Sequence, residues 1–192
     1  MNSKTQKMSI KTMTFGALLT ALVIVLQLMG SFIRFGQFSV SLVLIPIVIG
    51  SAIGGPYMGT WLGAVFGATV LASGDAAAFL TIDAIGTVIT VILKGTACGF
   101  VAGLIYKLFE KKNQTVAVIS AAIICPVVNT LIFIAGCFLF FYDTISTWAS
   151  DGNAVKYIFL VLVGGNFLFE LAFNIILSPT IIKLLNYTKK NI

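Results

Sequence analysis

Histidine is absent from this sequence, and charged residues of either sign are scarce. The 192 residues include 12 basic and 6 acidic side chains, so 9% are charged, against roughly 25% in a soluble domain. Without histidine, Ser-His-Asp and Cys-His catalysis and imidazole–metal sites are excluded. The HExxH motif is also missing, and no apolar segment carries paired acidic residues. We therefore expect that the protein is not an enzyme.

Cysteine is nearly absent as well. The three cysteines, Cys98, Cys125 and Cys137, lie in apolar stretches and show no CxxC spacing. This pattern favours small packing residues over disulfides or metal ligands. We expect no metal ion and no cofactor.

Apolar residues, by contrast, make up 59% of the chain. Charge-free gaps from Lys11 to Arg34, from Arg34 to Asp75 and from Lys112 to Asp143 each exceed the ~20 residues that a spanning helix needs. The sequence therefore predicts an all-α integral membrane protein, with residues 1–192 as a single membrane domain. The predicted transmembrane helices are six: about 12–32, 40–53, 57–72, 84–106, 116–141 and 157–185.

Small residues interrupt or line several of these helices. Gly54-Gly55-Pro56 is a strong helix breaker and separates the second helix from the third. Glycine then recurs at every fourth position in two helices, which favours close helix packing within the chain. These ladders are Gly55, Gly59, Gly63 and Gly67, and Gly95, Gly99 and Gly103.

The basic residues indicate the orientation of the chain. An even number of spans puts both termini on one side, and nine of the 12 basic residues fall there. They are Lys4, Lys7, Lys11, Lys107, Lys111, Lys112, Lys183, Lys189 and Lys190. The positive-inside rule then predicts cytoplasmic N- and C-termini. Because the charges lie beside the bilayer, the net charge of +6 does not indicate a nucleic-acid partner.

Lys94 lies deep in the apolar run 84–106. An ammonium at that depth costs roughly 2.5–3.5 kcal/mol, so it usually faces a partner or a wet cavity. Glu170, Asn129 and Asn166 are predicted at a comparable depth. Two interpretations stay open, namely a binding pocket with these four side chains as its floor, or a Lys94–Glu170 ion pair that only holds helices together.

Loops on the predicted outer side carry aromatic and hydrogen-bonding residues. Arg34 and Phe38 lie in the first of them, and Asp75 lies in the second. Aromatic side chains there either anchor the protein at the membrane interface or contact a ligand. We therefore include Arg34, Phe38 and Asp75 among the candidate substrate-binding residues.

Three local patterns carry a family resemblance. They are Ala17-Leu-Leu-Thr-Ala21 in the first helix, Leu44-Ile-Pro-Ile-Val-Ile-Gly50 with Gly55-Pro-Tyr-Met-Gly59-Thr-Trp-Leu-Gly63, and Ser73-Gly-Asp75 before the fourth helix. With six predicted spans, the chain resembles, over nearly its whole length, the S-components of energy-coupling factor (ECF) vitamin transporters. An S-component is the substrate-binding membrane subunit of such an importer.

The resemblance implies high-affinity capture of a vitamin by a multi-pass protein in a bacterial cell membrane. It implies that Ala17 and Ala21 dock against the transmembrane T-component. Two ABC-type ATPases on other chains would drive import, and the sequence itself contains no GxxxxGK[ST] motif. The lipid bilayer completes the list of expected partners.

Pantothenate best matches the predicted pocket, because its carboxylate suits Lys94 and its hydroxyls and amide suit Asn129 and Asn166. Pyridoxine, riboflavin and folate stay open. We expect few aromatic side chains on the inner helices, which disfavours a flavin or a pterin. The alternative function is a standalone secondary transporter or channel in which Lys94 and Glu170 relay protons or gate ions.

Overall fold

The computed structural model describes residues 10–31, 34–35, 38–39, 42–149 and 152–191. Helices account for most of them. The elements are α1 (Ile10–Gly30), β1 (Arg34–Phe35), β2 (Phe38–Ser39), α2 (Leu44–Ala72), α3 (Ala77–Leu80), α4 (Ala84–Phe109), α5 (Gln114–Phe140), α6 (Tyr142–Trp148), α7 (Ala154–Tyr157) and α8 (Gly165–Asn191). A π-helical segment, Ile158–Gly164, joins α7 to α8.

The predicted all-α fold is confirmed for the long elements, and two short strands, β1 and β2, are added to it. They pair antiparallel, with Arg34 opposite Ser39 and Phe35 opposite Phe38. Strands of two residues are too short to give an alternating hydrophobic pattern, so the sequence contained no signal for them. The loops predicted after the third and fifth helices also contain the short helices α3 and α6.

The long helix α2 is broken at Gly55, within the predicted breaker. Gly55 has φ 75° and ψ −169°, which is not a helical conformation and is readily adopted by glycine. Gly50 lies against the side chain of Leu62, and Gly59 lies against Ser51. The two halves of α2, residues 44–54 and 56–72, therefore pack side by side as a helical hairpin.

Four helical segments are long and apolar enough to cross a membrane. They are Ile10–Gly30, Ala84–Phe109, Gln114–Phe140 and Ala154–Tyr187. The halves of α2 reach only ~16 Å and ~25 Å at 1.5 Å per residue, less than the ~30 Å of a hydrocarbon core. The six-span count and the cytoplasmic termini thus stay predictions.

The glycine ladders pack α4 against the second half of α2. A Cβ atom at Gly59 would collide with the carbonyl of Gly99, and one at Gly63 would collide with that of Gly95. Ser51 extends this contact by donating to the Gly99 carbonyl at 3.0 Å. The predicted close packing within the chain is confirmed, and it fixes the helix that carries Lys94.

Two hydrophobic clusters form the core. The larger is built mostly from α1, α2, α4 and α5, and includes Phe66 and Val91. The smaller gathers Phe79, Phe141 and Ile145 with the π-helical segment. Residues of both clusters line one cavity, which is the candidate site.

Candidate functional site

Lys94 lies in the middle of α4, ~15 Å along the helix axis from its first residue. Its Nζ atom is 5.6 Å from the ring centre of Phe66 and 5.4 Å from that of Phe133. Both rings are within cation–π range of the ammonium. No hydrogen bond or ion pair joins Lys94 to another residue in the described part of the chain.

A cavity of about 70 Å³ adjoins Lys94. Residues of α1, α2, α3, α4, α5 and α8 surround it, together with neighbouring loop residues. The polar side chains in its walls are Gln27, Asp75, Thr87, Thr90, Lys94, Asn166 and Glu170. The structure thus brings together Lys94, Asn166, Glu170 and Asp75, as the sequence predicts.

A second cavity of about 40 Å³ also adjoins Lys94. Asn129 lines this second cavity, and Lys94, Phe133 and Asn166 line both. Asn129 is therefore part of the same polar region, although it does not line the larger cavity.

Glu170 is buried, with 1% of its surface exposed. Its Oε1 atom accepts a hydrogen bond from Nδ2 of Asn166 at 3.2 Å, one turn earlier in α8. The predicted structural alternative, a direct Lys94–Glu170 ion pair, is not present among the described contacts. An amide rather than the ammonium holds this carboxylate.

Several buried polar atoms around the two cavities have no hydrogen-bond partner within the described residues. They are Oγ1 of Thr90, Oδ1 of Asn129, Oδ1 of Asn166 and Oε2 of Glu170. Leaving such a group unpaired costs about 1–3 kcal/mol, and native proteins rarely tolerate several together. Their grouping beside Lys94 indicates a place for a polar ligand.

Gln27 is a wall residue that the sequence analysis missed. It is 2% exposed, and its Nε2 atom donates to Oδ2 of Asp75 at 2.6 Å. This bond links α1 to the segment between α2 and α3. The signal available in the sequence was a lone amide within an otherwise apolar helix. Thr87 and Thr90 were missed because threonine is common in apolar helices.

Arg34 and Phe38 lie in β1 and β2. The positions of their side chains lie outside what the structure describes. Their predicted contact with a ligand stays a prediction.

The expectation of few aromatic side chains near the pocket is wrong. Four phenylalanines line the larger cavity: Phe66, Phe79, Phe133 and Phe141. They come from separate parts of the chain, so no local pattern in the sequence groups them. Phe79 contacts Phe133 edge-on, with 5.8 Å between ring centres. The larger cavity is therefore compatible with an aromatic substrate.

Ala17 and Ala21 lie on an exposed face of α1. Ala17 borders an apolar groove of about 490 Å³ between α1 and the second half of α2. Exposed Tyr57 and Trp61 form the other side of this groove, and Nε1 of Trp61 donates to Oγ1 of Thr20 at 3.1 Å. A bulky residue at either alanine would project outwards rather than into the core.

The side chains around the cavity have chemistry that suits a small-molecule ligand. They combine an ammonium, unpaired oxygen atoms and phenylalanine faces within the apolar interior of a helical bundle. These features fit a small molecule with an acidic group, polar substituents and an apolar body.

Comparison with known proteins agrees with this interpretation. The family model described as "ECF transporter, substrate-specific component" matches residues 11–182. No curated protein and no solved structure matches the chain.

Proposed function

The chain belongs to the family of ECF transporter substrate-specific components, and on that premise we propose that it captures a small vitamin in the cavity beside Lys94. The family is one of membrane proteins in transporters rather than of enzymes. Membership implies a small-molecule substrate and an assembly with a T-component and ATPases. The cell membrane of a bacterium is the location we propose.

The observation that carries the proposal is the environment of Lys94. Its ammonium lies over two phenylalanine rings, and within the described part of the chain no carboxylate is its hydrogen-bonding partner. A carboxylate of the substrate would form charge-assisted hydrogen bonds with it, which are roughly twice as strong as neutral ones. The unpaired oxygens of Thr90, Asn129 and Asn166 would bind the substrate's polar groups.

Pantothenate is the first candidate substrate. Its carboxylate suits Lys94, and its two hydroxyls and one amide suit the asparagine and threonine side chains. The cavities of about 70 and 40 Å³ are far below the roughly 300–1,000 Å³ typical of ligand pockets. Their walls must therefore move apart on binding, and the smallest vitamins require the least movement. Size now counts against riboflavin and folate.

Pyridoxine is the second candidate, because four phenylalanines line the larger cavity. Its single flat ring could pack against Phe66 or Phe133, and aromatic pairs contribute about 0.5–1.5 kcal/mol beyond burial. Its hydroxyls would then bond to the same polar oxygens. A direct comparison of the two vitamins decides between them.

Docking to the T-component is assigned to the face of Ala17 and Ala21. Both are exposed, and small residues let a partner helix approach closely in lipid. The neighbouring groove beside Trp61 and Tyr57 gives this face the width to seat a helix. Two ABC-type ATPases on other chains would supply the energy.

Six membrane passes and cytoplasmic termini remain part of the proposal. Lys11, at the start of α1, and Lys107, at the end of α4, belong to the predicted cytoplasmic side. The hairpin turn of α2 supports this arrangement, because Nζ of Lys107 lies 3.2 Å from where a Cβ of Gly55 would stand. The hairpin turn is therefore at the same end as the basic residues.

Binding and uptake measurements test the proposal. The purified protein in lipid nanodiscs should bind pantothenate or pyridoxine in isothermal titration calorimetry. Liposomes should take up that vitamin only when the T-component and both ATPases are present with ATP. Uptake or ion conduction by this chain alone would favour the standalone transporter or channel that uses Lys94 and Glu170.

A further inference from the structure

We propose that Asn129 on α5 and Asn166 on α8 turn their side-chain oxygens, which only accept hydrogen bonds, towards the ligand, so that the substrate must bring N–H or O–H donors to them. This inference rests on the proposed function, because it concerns the same cavity. It adds a rule for the substrate's chemistry. One part of the substrate must suit the ammonium of Lys94, and the part that faces Asn129 and Asn166 must carry donors.

The first step concerns the hydrogen bonds that Glu170 accepts from the neighbouring amide side chains. Its Oε1 atom accepts from Nδ2 of Asn166 at 3.2 Å, and its backbone carbonyl accepts from Nδ2 of Asn174 at 2.8 Å. The amide of Asn129 also interacts with the Glu170 carboxyl group. Because an amide donates only through its nitrogen, each donor turned towards Glu170 is lost to a ligand.

The second step concerns the side-chain oxygens that remain without a hydrogen-bond partner. Oδ1 of Asn166 and Oδ1 of Asn129 have no partner among the described residues, and neither has Oε2 of Glu170. Asn166 lines both cavities, Asn129 lines the smaller one and Glu170 lines the larger. Each amide oxygen can only accept a hydrogen bond. Glu170 is therefore a positioning residue that fixes which face of each amide the ligand meets.

The third step concerns the side chains that α4 contributes to the same cavities. Lys94 offers donors and no acceptor, and Thr90 offers a hydroxyl without a partner. The polar region thus combines a cationic donor on α4 with amide oxygens on α5 and α8. A phosphate or second carboxylate facing α8 would meet acceptors and the Glu170 carboxyl group, so a doubly anionic substrate is excluded.

Substrate analogues that lose one donor without gaining bulk test this rule on the unmodified protein. The ester analogue of pantothenate, with oxygen in place of the amide N–H, keeps the shape and the carboxylate. Deoxypyridoxine lacks one hydroxyl of pyridoxine. In nanodiscs, we expect the analogue of whichever vitamin binds to have a dissociation constant at least about tenfold higher, because a buried acceptor loses its donor.

A pair of variants separates positioning from general damage. Glu170→Gln lets the amides of Asn129 and Asn166 turn, so the ratio between parent and analogue affinities should fall towards one. Ser178→Ala is the matched control in the same helix. Its hydroxyl donates to the Asn174 carbonyl, and Ser178 lines neither cavity. In this control, the ratio should keep the wild-type value.

The outcomes distinguish this inference from the function it rests on. Equal affinity of parent and analogue for the wild-type protein overturns the donor rule and leaves the proposed function standing. Failure of every parent vitamin to bind, together with absent uptake by the complete transporter, overturns the proposed function and the donor rule with it. The wild-type comparison does not depend on whether Glu170→Gln folds.

Discussion

At the scale of single residues, the surroundings of Lys94 decide what the site can do. Phenylalanine faces stabilise the ammonium by about 0.5–2 kcal/mol each, yet they supply no hydrogen-bond acceptor. A charge held in this way stays available to an incoming carboxylate. In a Lys94–Glu170 ion pair, the Glu170 carboxylate would already neutralise this charge.

Replacing Lys94 with methionine tests this assignment. Lys94→Met keeps an unbranched apolar stem but removes the charge, so the substrate carboxylate loses its partner. Truncating one member of a buried charge pair costs about 2–5 kcal/mol, and we expect at least ~30-fold weaker binding. Calorimetry in nanodiscs measures the change, and thermal unfolding checks that the variant is folded.

The double variant Lys94→Met, Glu170→Gln provides the control. If the two side chains only paired with each other, removing both charges would restore stability and leave substrate binding normal. We expect a folded protein that still binds poorly. Normal binding by the double variant would remove Lys94 from the substrate site.

At the scale of elements, the packing of α2 against α4 holds in place the helix that contains Lys94. Gly59 and Gly63 leave no space for a side chain at this contact. We expect Gly63→Val to destabilise the protein, because overpacking at a close helix contact costs about 1–3 kcal/mol or more. A lower midpoint of thermal unfolding in detergent is the readout.

Gly165→Ala is the matched control for that prediction. A Cβ atom at Gly165 would meet nothing within 4 Å, and the residue is helical. Its unfolding midpoint should stay near the wild-type value or rise slightly. A similar fall in both variants would mean that the helix contact is not the cause.

The exposed face of α1 gives a second prediction at this scale. Ala17→Trp or Ala21→Trp places a large ring on an exposed face of α1 and should block close approach of the T-component. Uptake by the complete transporter should be lost, while substrate binding by the isolated chain stays unchanged. If binding and uptake fell together, α1 would instead be a folding element.

Much of this architecture was predictable from local patterns. The apolar runs indicated the long helices, Gly54-Gly55-Pro56 indicated the break in α2, and the glycine ladders indicated close packing. The site was predictable where a polar residue is rare in an apolar run, as for Lys94. Gln27 and the four phenylalanines were not, because only the packing of distant segments brings them to one cavity. Likewise, no sequence pattern specifies which way an amide turns.

At the scale of the whole molecule, orientation in the membrane is the property to test. Lys112 and Thr147 are both exposed. Lys112 precedes α5 and Thr147 follows it, so cysteine labels at these two positions mark opposite ends of the helix. An impermeant thiol reagent added outside intact cells should label Thr147→Cys but not Lys112→Cys. The native Cys98, Cys125 and Cys137 are buried, and the wild-type protein measures their background. Labelling of Lys112→Cys from outside would contradict the predicted topology.

The broken helix α2 also has a consequence for how the protein is made. Its halves are each shorter than a typical spanning helix, and Gly59, Gly63 and Gly67 in its second half pack against α4. During translation, residues 44–72 therefore leave the ribosome before the helix that completes their packing exists. We expect them to enter the bilayer as one hairpin and to settle only once α4 has been inserted. Assembly of the cavity beside Lys94 thus follows the order of synthesis, and a nascent chain truncated before residue 84 should stay sensitive to membrane-bound proteases.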